Sequence, residues 1–410
     1  MPLPPRTAED FLRHCFDAGV AAVLPDAALA HAALPAPLGR PWIVAIGKAA
    51  EGMARALEAR LSARGTPVAG GLVIGAAGGG AVSPVLQHLV GDHPMPGESS
   101  FAASAALEQF VARLPLDAEV HVAISGGASS LVAGPREGVS ALEVVETFAR
   151  LHLAGTPIAE MNAARRRVTR WSGGRLAEAL LPRPVHCWLI SDVPGDDPAT
   201  IGSGPCVTAP PSDLVTVTLV ATNAMACTAA ASAAGRVGAV QRIHPVPMTG
   251  EARDVGRQIA VEAMRAAQEW RRQNEALQED GHGDAVRPLL LIWGGETTVT
   301  RGDGDGVGGR AQELALAAAE MLDISPLPIT LLSAGTDGRD GPTDAAGAVV
   351  NQQSWSRLTA LGNPGDALAR HDSHRALDQI GALIRSGPTG TNVMDLVLVV
   401  VGWDAAPDAT

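Results

Sequence analysis

The chemistry of one side chain stands out in this sequence. Lys48 is the only lysine in a chain with 31 basic residues, so a compact ammonium is kept there and a guanidinium is used everywhere else. It follows the apolar run Trp42–Ile46 and opens a helical pattern, a position where a cation and a helix N-terminus together bind phosphate. The segment is not a P-loop, because Trp42 and Ala49 replace residues which that motif requires. We predict a catalytic role for Lys48. The alternative is that this single lysine is present by chance in an arginine-rich chain and has no specific function.

A second candidate is the glycine- and serine-rich segment SGGASS, which follows the apolar run Val120–Ile124. Backbone N–H groups at Gly126 and Gly127 can point at an anion, and Ser125 and Ser129 can add hydroxyl donors. The segment predicts a phosphate or nucleotide contact. A tight strand-to-helix turn that binds nothing is an equally open alternative.

Two polar pairs are candidates for binding substrate or phosphate. Asp92 and His93 precede two prolines in GDHPMPGESS, a stiff loop at a strand end. Asn162 and Arg165 lie in EMNAARRRVTRWSGGRLAEAL, which we predict as one helix from Glu160 onward. Arginine suits a carboxylate or a phosphate. A solvated basic face is the alternative for this helix.

Two aspartate-rich loops follow apolar strands and are candidates for holding Mg²⁺. They are SDVPGDDPATIGSGP and GTDGRDGPTDAAG. Their first acids, Asp192 and Asp337, are the predicted metal ligands, because Mg²⁺ near a nucleotide uses one or two carboxylates plus phosphates. Turn-forming caps are the alternative for most of these aspartates.

The segment after Trp293 contains a formal GxGxxG pattern at Gly304, Gly306 and Gly309. A dinucleotide site is one interpretation, since the pattern follows a predicted strand, TTVT, and precedes a helix. Asp303 and Asp305 stand where a pyrophosphate would lie, however, and no acid closes the next strand at the expected distance. We therefore favour a lid that delivers Arg310 to a phosphate.

The elements that must position these residues follow one pattern, in which continuous apolar runs lead into glycine-rich turns. Such runs indicate strands covered on both faces, as in parallel sheets. Helical patterns separate the runs, so the sequence predicts an α/β fold. The predicted helices are Ala49–Ala63, Ser99–Leu114, Ala141–Ala154, Arg310–Leu322 and Glu251–Leu277. Ligands in these folds bind beyond the carboxyl ends of the strands, where the candidate loops fall.

The length of 410 residues indicates two or three domains, with a boundary between about Gly235 and Pro288. We predict an N-terminal domain over 1–235, a connecting helix and linker over 236–287, and a C-terminal domain over 288–410.

The net charge of −12 argues against nucleic acid or anionic lipid as a partner. Four scattered cysteines indicate neither a disulfide framework nor a zinc ribbon, and no apolar run is long enough for a membrane span. We expect a cytoplasmic protein with a small-molecule substrate. The sequence leaves the oligomeric state open, with a homo-oligomer as one alternative.

Together these motifs resemble the class II glycerate kinases (glycerate 2-kinases), whose C-terminal part is the MOFRL domain. Nine segments match in family order, from GKAAEGMA through SGGASSL, SDVPGDDPATIGSGP and GGRAQELAL to GPTGTNVMDL, and they cover nearly the whole chain. The resemblance implies a large Rossmann-like N-terminal domain, a smaller α/β C-terminal domain and an active site in the cleft between them. It implies transfer of the ATP γ-phosphoryl group to the 2-hydroxyl of D-glycerate with Mg²⁺.

The proposed catalytic lysine and arginine of that family fall on Lys48 and Arg310. Asp192 is then the candidate base with His93 in reserve, and Gly308 and Gly309 join the nucleotide contacts. Some relatives carry a hydroxypyruvate reductase label, so an NAD(P)H-dependent reductase stays open as the alternative.

This chain departs from the family pattern at four positions. Ala311 replaces an asparagine, and Arg166, Arg167 and Ser172 stand for a lysine, a histidine and a lysine. A direct substrate role is therefore not expected at Arg166, Arg167 and Ser172, or the substrate preference is altered.

Overall fold

The computed structural model describes residues 5–76, 83–153, 158–279, 287–300 and 305–403. The helices are α1 (Ala8–Ala22), α2 (Pro25–Ala30), α3 (Ala50–Ala63), α4 (Glu98–Arg113), α5 (Ala128–Leu131), α6 (Ala141–Leu153), α7 (Ile158–Val168), α8 (Arg175–Leu180), α9 (Asn223–Arg236), α10 (Ala252–Glu279), α11 (Arg310–Leu322), α12 (Ser354–Thr359), α13 (Pro364–Ala369) and α14 (Ser373–Gln379). The strands are β1 (Arg40–Ile46), β2 (Gly70–Ala76), β3 (Leu86–Gly91), β4 (Ala118–Ile124), β5 (Val185–Ile190), β6 (Val215–Ala221), β7 (Val240–Ile243), β8 (Leu289–Gly295), β9 (Ile329–Gly335), β10 (Gly347–Asn351), β11 (Leu383–Ile384) and β12 (Asp395–Val401). The predicted α/β class is confirmed.

The chain divides into two compact units, each built on a six-stranded sheet. The parallel-sheet unit comprises Val23–Thr222 and Gly390–Val393. The mixed-sheet unit comprises Met1–Ala22, Asn223–Thr389 and Met394–Thr410.

In the parallel-sheet unit the strand order is β3-β2-β1-β4-β5-β6, and every neighbouring pair is parallel. The central strands β1 and β4 align Val44 with Val122 and Ile46 with Ile124, and all four side chains are buried. The chain order reverses between these two strands. Ligands of doubly wound sheets bind at such a reversal, beyond the carboxyl ends of the strands. The loops that follow β1 and β4 are the ones that begin at Gly47 and Ser125.

The mixed-sheet unit has the order β11-β10-β9-β12-β8-β7, and there the expectation of parallel strands is wrong. Strand β12 runs antiparallel to both β8 and β9, and β7 and β8 are the one parallel pair among the described strands of this mixed sheet. Val397 and Val399 of β12 pack in the core with α10 and α11, whereas Leu396 lies against Gly19 of α1. Continuous apolar sequence reports burial on both faces, and it does not report strand direction.

The compact units divide the chain differently from the predicted domains. Helix α1 belongs to the mixed-sheet unit, where the ring of Phe11 stacks on Trp403 with centroids 4.2 Å apart. The segment predicted as a connector contributes Ile259 and Ala263 of α10 to the core of that unit. The amphipathic helices α1 and α10 therefore build the mixed-sheet unit, because their apolar faces pack on β9 and β12 of its sheet.

Two local predictions are also corrected. The helix predicted from Glu160 ends at Val168, and α8 begins only after Gly173 and Gly174, which have φ of 63° and 85°. The TTVT segment is not a strand; Thr298 makes one isolated bridge to Glu251. In the part of the chain that the structure describes, no helix combines the length and apolarity needed to cross a bilayer.

Candidate active site in the parallel-sheet unit

A cavity of about 150 Å³ lies in the parallel-sheet unit, beyond the ends of β4 and β5. Its lining residues are His93, Pro94, Met95, Gly127, Ser129, Ser130, Phe148, His152, Asn162, Arg165, Asp192, Val193, Thr200 and Gly202. Six of the predicted site residues are among them, drawn from four separate segments. The fold thus gathers candidates that are up to 99 residues apart in the sequence.

The turn formed by Gly126 and Gly127 is where the candidate side chains meet. A Cβ at Gly126 would overlap Asp192 Oδ2, and a Cβ at Gly127, which has φ of 86°, would lie 2.8 Å from His93 Cδ2 and 3.5 Å from Lys48 Cγ. The backbone N–H of Lys48 donates to the Gly126 carbonyl at 2.9 Å. The glycines therefore permit close approach of a lysine, a histidine and a carboxylate at the strand-order reversal.

Arg165 places a positive charge at the cavity without a counter-ion. Its guanidinium Cζ lies 4.7 Å from the centroid of the Phe148 ring, a cation–π contact. Its Nε is buried and has no hydrogen-bond partner, and no ion pair joins it to a described carboxylate. Burial lowers the pKa of Arg165 to about 10. A buried guanidinium with unused donor capacity is the feature expected of an anion-binding site.

His93 is held as a neutral imidazole beside this cation. Partial burial, together with the positive charges of Lys48 and Arg165, lowers the pKa of His93 to about 4. Its neighbour Asp92 does not line the cavity. Asp92 Oδ2 accepts from the backbone N–H of Ser100 at 3.1 Å in the first turn of α4, so its role is to fix the loop that carries His93.

Asn162 and Ser129 belong to a chain of buried hydrogen bonds that the sequence did not reveal. Asn162 Nδ2 donates to the carbonyl of Thr200 at 3.0 Å, and Ser203 Oγ donates to Asn162 Oδ1 at 2.7 Å. Ser203 Oγ also lies 2.7 Å from Ser129 Oγ. Ser203 was not among the predicted residues. The sequence signal for Ser203 is the run IGSGP, in which two glycines flank the serine. In the structure this serine has φ of 62°.

Ser125 and three of the residues that depart from the family pattern lie outside the cavity lining. Ser125 Oγ accepts from the backbone N–H of Ala49 at 3.0 Å, and Ser125 does not line the cavity. Ser172 is buried against Thr169, with 2.7 Å between their hydroxyl oxygens. Arg166 donates to the carbonyl of Ala199 at 3.2 Å, and Arg167 is exposed. None of the latter three lines the cavity.

In the mixed-sheet unit, Arg310 is fully engaged by carboxylates. Its Nε and one terminal nitrogen donate to Asp395 at 2.6 and 3.1 Å, and its other terminal nitrogen pairs with Glu296. These carboxylates raise the pKa of Arg310 despite its burial. The sequence did not indicate this pairing, because Asp395 follows 85 residues later.

The glycines next to Arg310 are needed for packing within the unit. A Cβ at Gly309 would overlap the carboxylate of Asp340, and one at Gly308 would overlap Ser373 Oγ. Asp340 accepts from the backbone N–H groups of Ala311 and Gln312 at 3.1 and 2.8 Å, and so caps α11. Burial and the nearby Asp395 raise the pKa of Asp340 to about 6.

These contacts remove the residue-level support for a dinucleotide site. Gly306 faces the backbone of Arg370 and His371, and the TTVT strand that the motif requires is absent from the described chain. Gly304 and Asp303, the remaining predicted parts, lie outside the described residues.

The predicted metal ligands occupy different surroundings. Asp192 lines the cavity, whereas Asp337 Oδ1 accepts from the backbone N–H of Arg339 at 3.0 Å and caps a turn. Across the described ranges, no three His, Cys, Asp or Glu side chains come close enough together to hold a metal ion. A Mg²⁺ ion at Asp192 would thus take most of its ligands from phosphates and water.

Comparison with known proteins gives the chain its family. Residues 11–234 match a model described as a domain of unknown function (DUF4147), and residues 289–395 match the MOFRL family. The chain is 34% identical to a protein of Thermotoga maritima named D-glycerate 2-kinase, over 93% of this chain and 95% of that protein. The chain belongs to the class II glycerate kinase family.

Other members of the glycerate kinase family agree in sequence and fold. A Pyrococcus horikoshii protein named glycerate 2-kinase is 31% identical over 88% of both chains. The crystal structure of a glycerate kinase from Thermotoga maritima matches 96% of this chain and all of its own, with a TM-score of 0.80 and 32% identity. Two Agrobacterium vitis relatives, 33% and 35% identical, carry hydroxypyruvate reductase in their names.

Proposed function

We propose that this protein is a glycerate 2-kinase, which transfers the terminal phosphoryl group of ATP to the 2-hydroxyl of D-glycerate. The observation that carries the proposal is the unpaired guanidinium of Arg165 in a cavity of about 150 Å³. Sites for drug-sized ligands measure roughly 300–1,000 Å³, so this cavity fits a small acid. The family relationship supplies the reaction, and the cavity supplies a place for its acceptor substrate.

The carboxylate of D-glycerate binds at Arg165 in this proposal. The guanidinium offers paired N–H donors, and its low exposure strengthens the interaction because water competes less. Phe148 beneath the guanidinium limits its rotation. His93 stays neutral at physiological pH and adds no second charge, so one carboxylate is balanced by one cation.

Lys48 neutralises the transferring phosphoryl group. Phosphoryl transfer depends on positioning and on charge neutralisation, with little covalent participation by the protein. Lys48 is exposed beside the Gly126–Gly127 turn and makes no ion pair with a described residue, so its ammonium is available to a phosphate. The backbone of this turn is the proposed contact for the nucleotide phosphates.

Asp192 receives the proton of the 2-hydroxyl. It is the one carboxylate among the lining residues, and Gly126 allows it to approach the turn closely. The same carboxylate suits Mg²⁺, whose chemistry is to bridge and neutralise phosphate oxygens. We propose ATP and Mg²⁺ as the cofactors on this basis and on the family relationship.

A phosphate contact of Arg310 stays a prediction. Its donors are used by Asp395 and Glu296, so a ligand must displace one of these carboxylates before Arg310 can bind phosphate.

The test is the product formed from D-glycerate and Mg-ATP, analysed by phosphorus NMR. We expect the resonance of 2-phosphoglycerate with an equal amount of ADP. Formation of 3-phosphoglycerate, or ATP consumption without a phosphorylated acid, would refute the assignment. A parallel assay with hydroxypyruvate and NADH or NADPH tests the reductase alternative, for which we expect no loss of reduced-nicotinamide absorbance.

A further inference from the structure

The chain of buried hydrogen bonds behind the cavity fixes the direction in which one serine can act. Asn162, Ser203 and Ser129 are at most 8% exposed, and each bond between them measures 2.7 Å. Only Ser129 and Asn162 reach the cavity lining. Whether the Ser129 hydroxyl donates or accepts a hydrogen bond at a ligand therefore depends on the direction of the hydrogen bonds among these three side chains.

The direction of each hydrogen bond follows from the acceptor at the end of the series. The Thr200 carbonyl can only accept, so it takes a proton of the Asn162 amide and turns Asn162 Oδ1 toward Ser203. Ser203 must then donate its single hydroxyl proton to Asn162 Oδ1. Ser203 has no proton left for Ser129, so Ser129 donates to Ser203. Ser129 presents only oxygen lone pairs to the cavity.

We infer that Ser129 accepts a hydrogen bond from the 3-hydroxyl of D-glycerate and that Ser203 and Asn162 hold it in this polarity. The inference rests on the proposed function, in which the 2-hydroxyl proton goes to Asp192, so the 3-hydroxyl is the donor that remains. Carboxylate and phosphate oxygens have no proton to give at neutral pH. This inference differs from the predicted role of Ser129 as a hydroxyl donor to phosphate.

The backbone at Ser203 supports a requirement for its hydroxyl. Ser203 has φ of 62° between Gly202 at 57° and Gly204 at 64°. This left-handed conformation costs a non-glycine residue of order 1 kcal/mol, and glycine adopts it freely. A serine in that position is retained against its backbone preference, and its side chain has no exposed surface.

The result is a site that distinguishes a dihydroxy acid from an acid without the 3-hydroxyl. D-Lactate has the carboxylate and the 2-hydroxyl of D-glycerate but a methyl group in place of the 3-hydroxymethyl group. Its methyl leaves Ser129 without a donor, and a buried acceptor without a partner is unfavourable. Ser129 is thus a specificity-determining residue, and Ser203 is a positioning residue.

The experiment compares kcat/KM for D-glycerate and D-lactate in the wild type, Ser129→Ala and Ser203→Gly. We expect the preference for D-glycerate to fall about tenfold in both variants, the size of one hydrogen bond, because the D-glycerate value falls and the D-lactate value does not. Ser203→Gly suits the local backbone and should fold. Ser354→Ala removes a buried hydroxyl from the mixed-sheet unit and serves as the control, with an unchanged preference.

The 3-fluoro analogue of D-glycerate tests the direction of the hydrogen bond. Fluorine cannot donate, so we expect the wild type to treat this compound like D-lactate. An unchanged preference in both variants, an equal fall for both substrates, or a wild-type preference for the fluoro analogue over D-lactate would each overturn the inference.

Failure of the proposed function would give a different result. Wild-type protein would then not phosphorylate D-glycerate, and calorimetric binding of D-glycerate and D-lactate would test Ser129 independently of turnover. Loss of the binding preference in Ser129→Ala would support the inference, and an unchanged preference would overturn it.

Discussion

Replacing Arg165 with methionine should move activity and stability in opposite directions. Methionine keeps an unbranched stem against Phe148 but removes the charge. D-Glycerate would then bring its carboxylate to a partly buried site without a partner, which costs about 3 kcal/mol. We expect kcat/KM for D-glycerate to fall more than about 100-fold, since each 1.4 kcal/mol is a factor of ten.

Without ligand, the Arg165→Met variant should be more stable than the wild type, because the wild type carries the charge of Arg165 without a counter-ion. Arg165 is protonated in the folded and unfolded states at pH 7, and its pKa of about 10 in the folded state means that folding disfavours the ion. At about 1.4 kcal/mol per pKa unit the cost is about 3 kcal/mol, and it is relieved only above about pH 10. Loss of the cation–π contact offsets about 1 kcal/mol of the gain.

The net gain of about 2 kcal/mol corresponds to a rise in Tm of about 4–8 °C for a unit of this size. Activity is measured by coupled ADP release, and stability by calorimetry without ligands. Arg167→Met is the matched control, since Arg167 is an exposed arginine of the same helix outside the cavity, and both quantities should stay near wild type. Turnover within threefold of wild type in Arg165→Met, or a Tm below that of the control, would refute the reasoning.

Four further predictions concern the side chains around the glycine turn. Lys48→Arg keeps the charge but not the compact shape, so kcat should fall at least tenfold in the ADP-release assay, and wild-type turnover would remove Lys48 from the mechanism. In Lys48→Met the pKa of His93 should rise from about 4 toward its ordinary value, because a positive charge that opposes protonation is gone; histidine NMR measures this, and an unshifted titration contradicts it. Asp192→Asn should abolish most turnover and weaken the response to Mg²⁺, whereas an identical Mg²⁺ titration excludes a ligand role. Gly126→Ala should reduce kcat by displacing Asp192, and Gly362→Ala, where an added Cβ meets no described atom within 4 Å, should leave it unchanged.

Sequence reasoning located the strand-end loops because apolar runs and glycines mark where buried strands end. That rule was enough to propose Lys48, His93 and Asp192 together, and the parallel sheet brings them to one turn. The rule depends on local sequence, so it applies wherever a strand leads directly into its own loop.

The pattern of apolar runs and glycines could not reveal contacts between distant segments. The pairing of Arg310 with Asp395 depends on the antiparallel direction of β12, and the bond from Ser203 to Asn162 depends on a left-handed turn. Neither direction nor turn is encoded by hydrophobic pattern. Asp92 is a related case, since a carboxylate that caps a helix and one that binds substrate look alike in a sequence.

The position of α1 has a consequence for how this chain reaches its native state on the ribosome. The helix is synthesised roughly 370 residues before β12, yet Phe11 packs against Trp403 and Gly19 against Leu396. The parallel sheet can fold as soon as its last strand has emerged, and α9, which packs on α1, follows directly. The strands β9 and β12, which α1 also covers, emerge much later, so part of the apolar face of α1 stays exposed until then. Nascent chains arrested before β8 should therefore recruit chaperones through α1, long after their central domain has become protease-resistant.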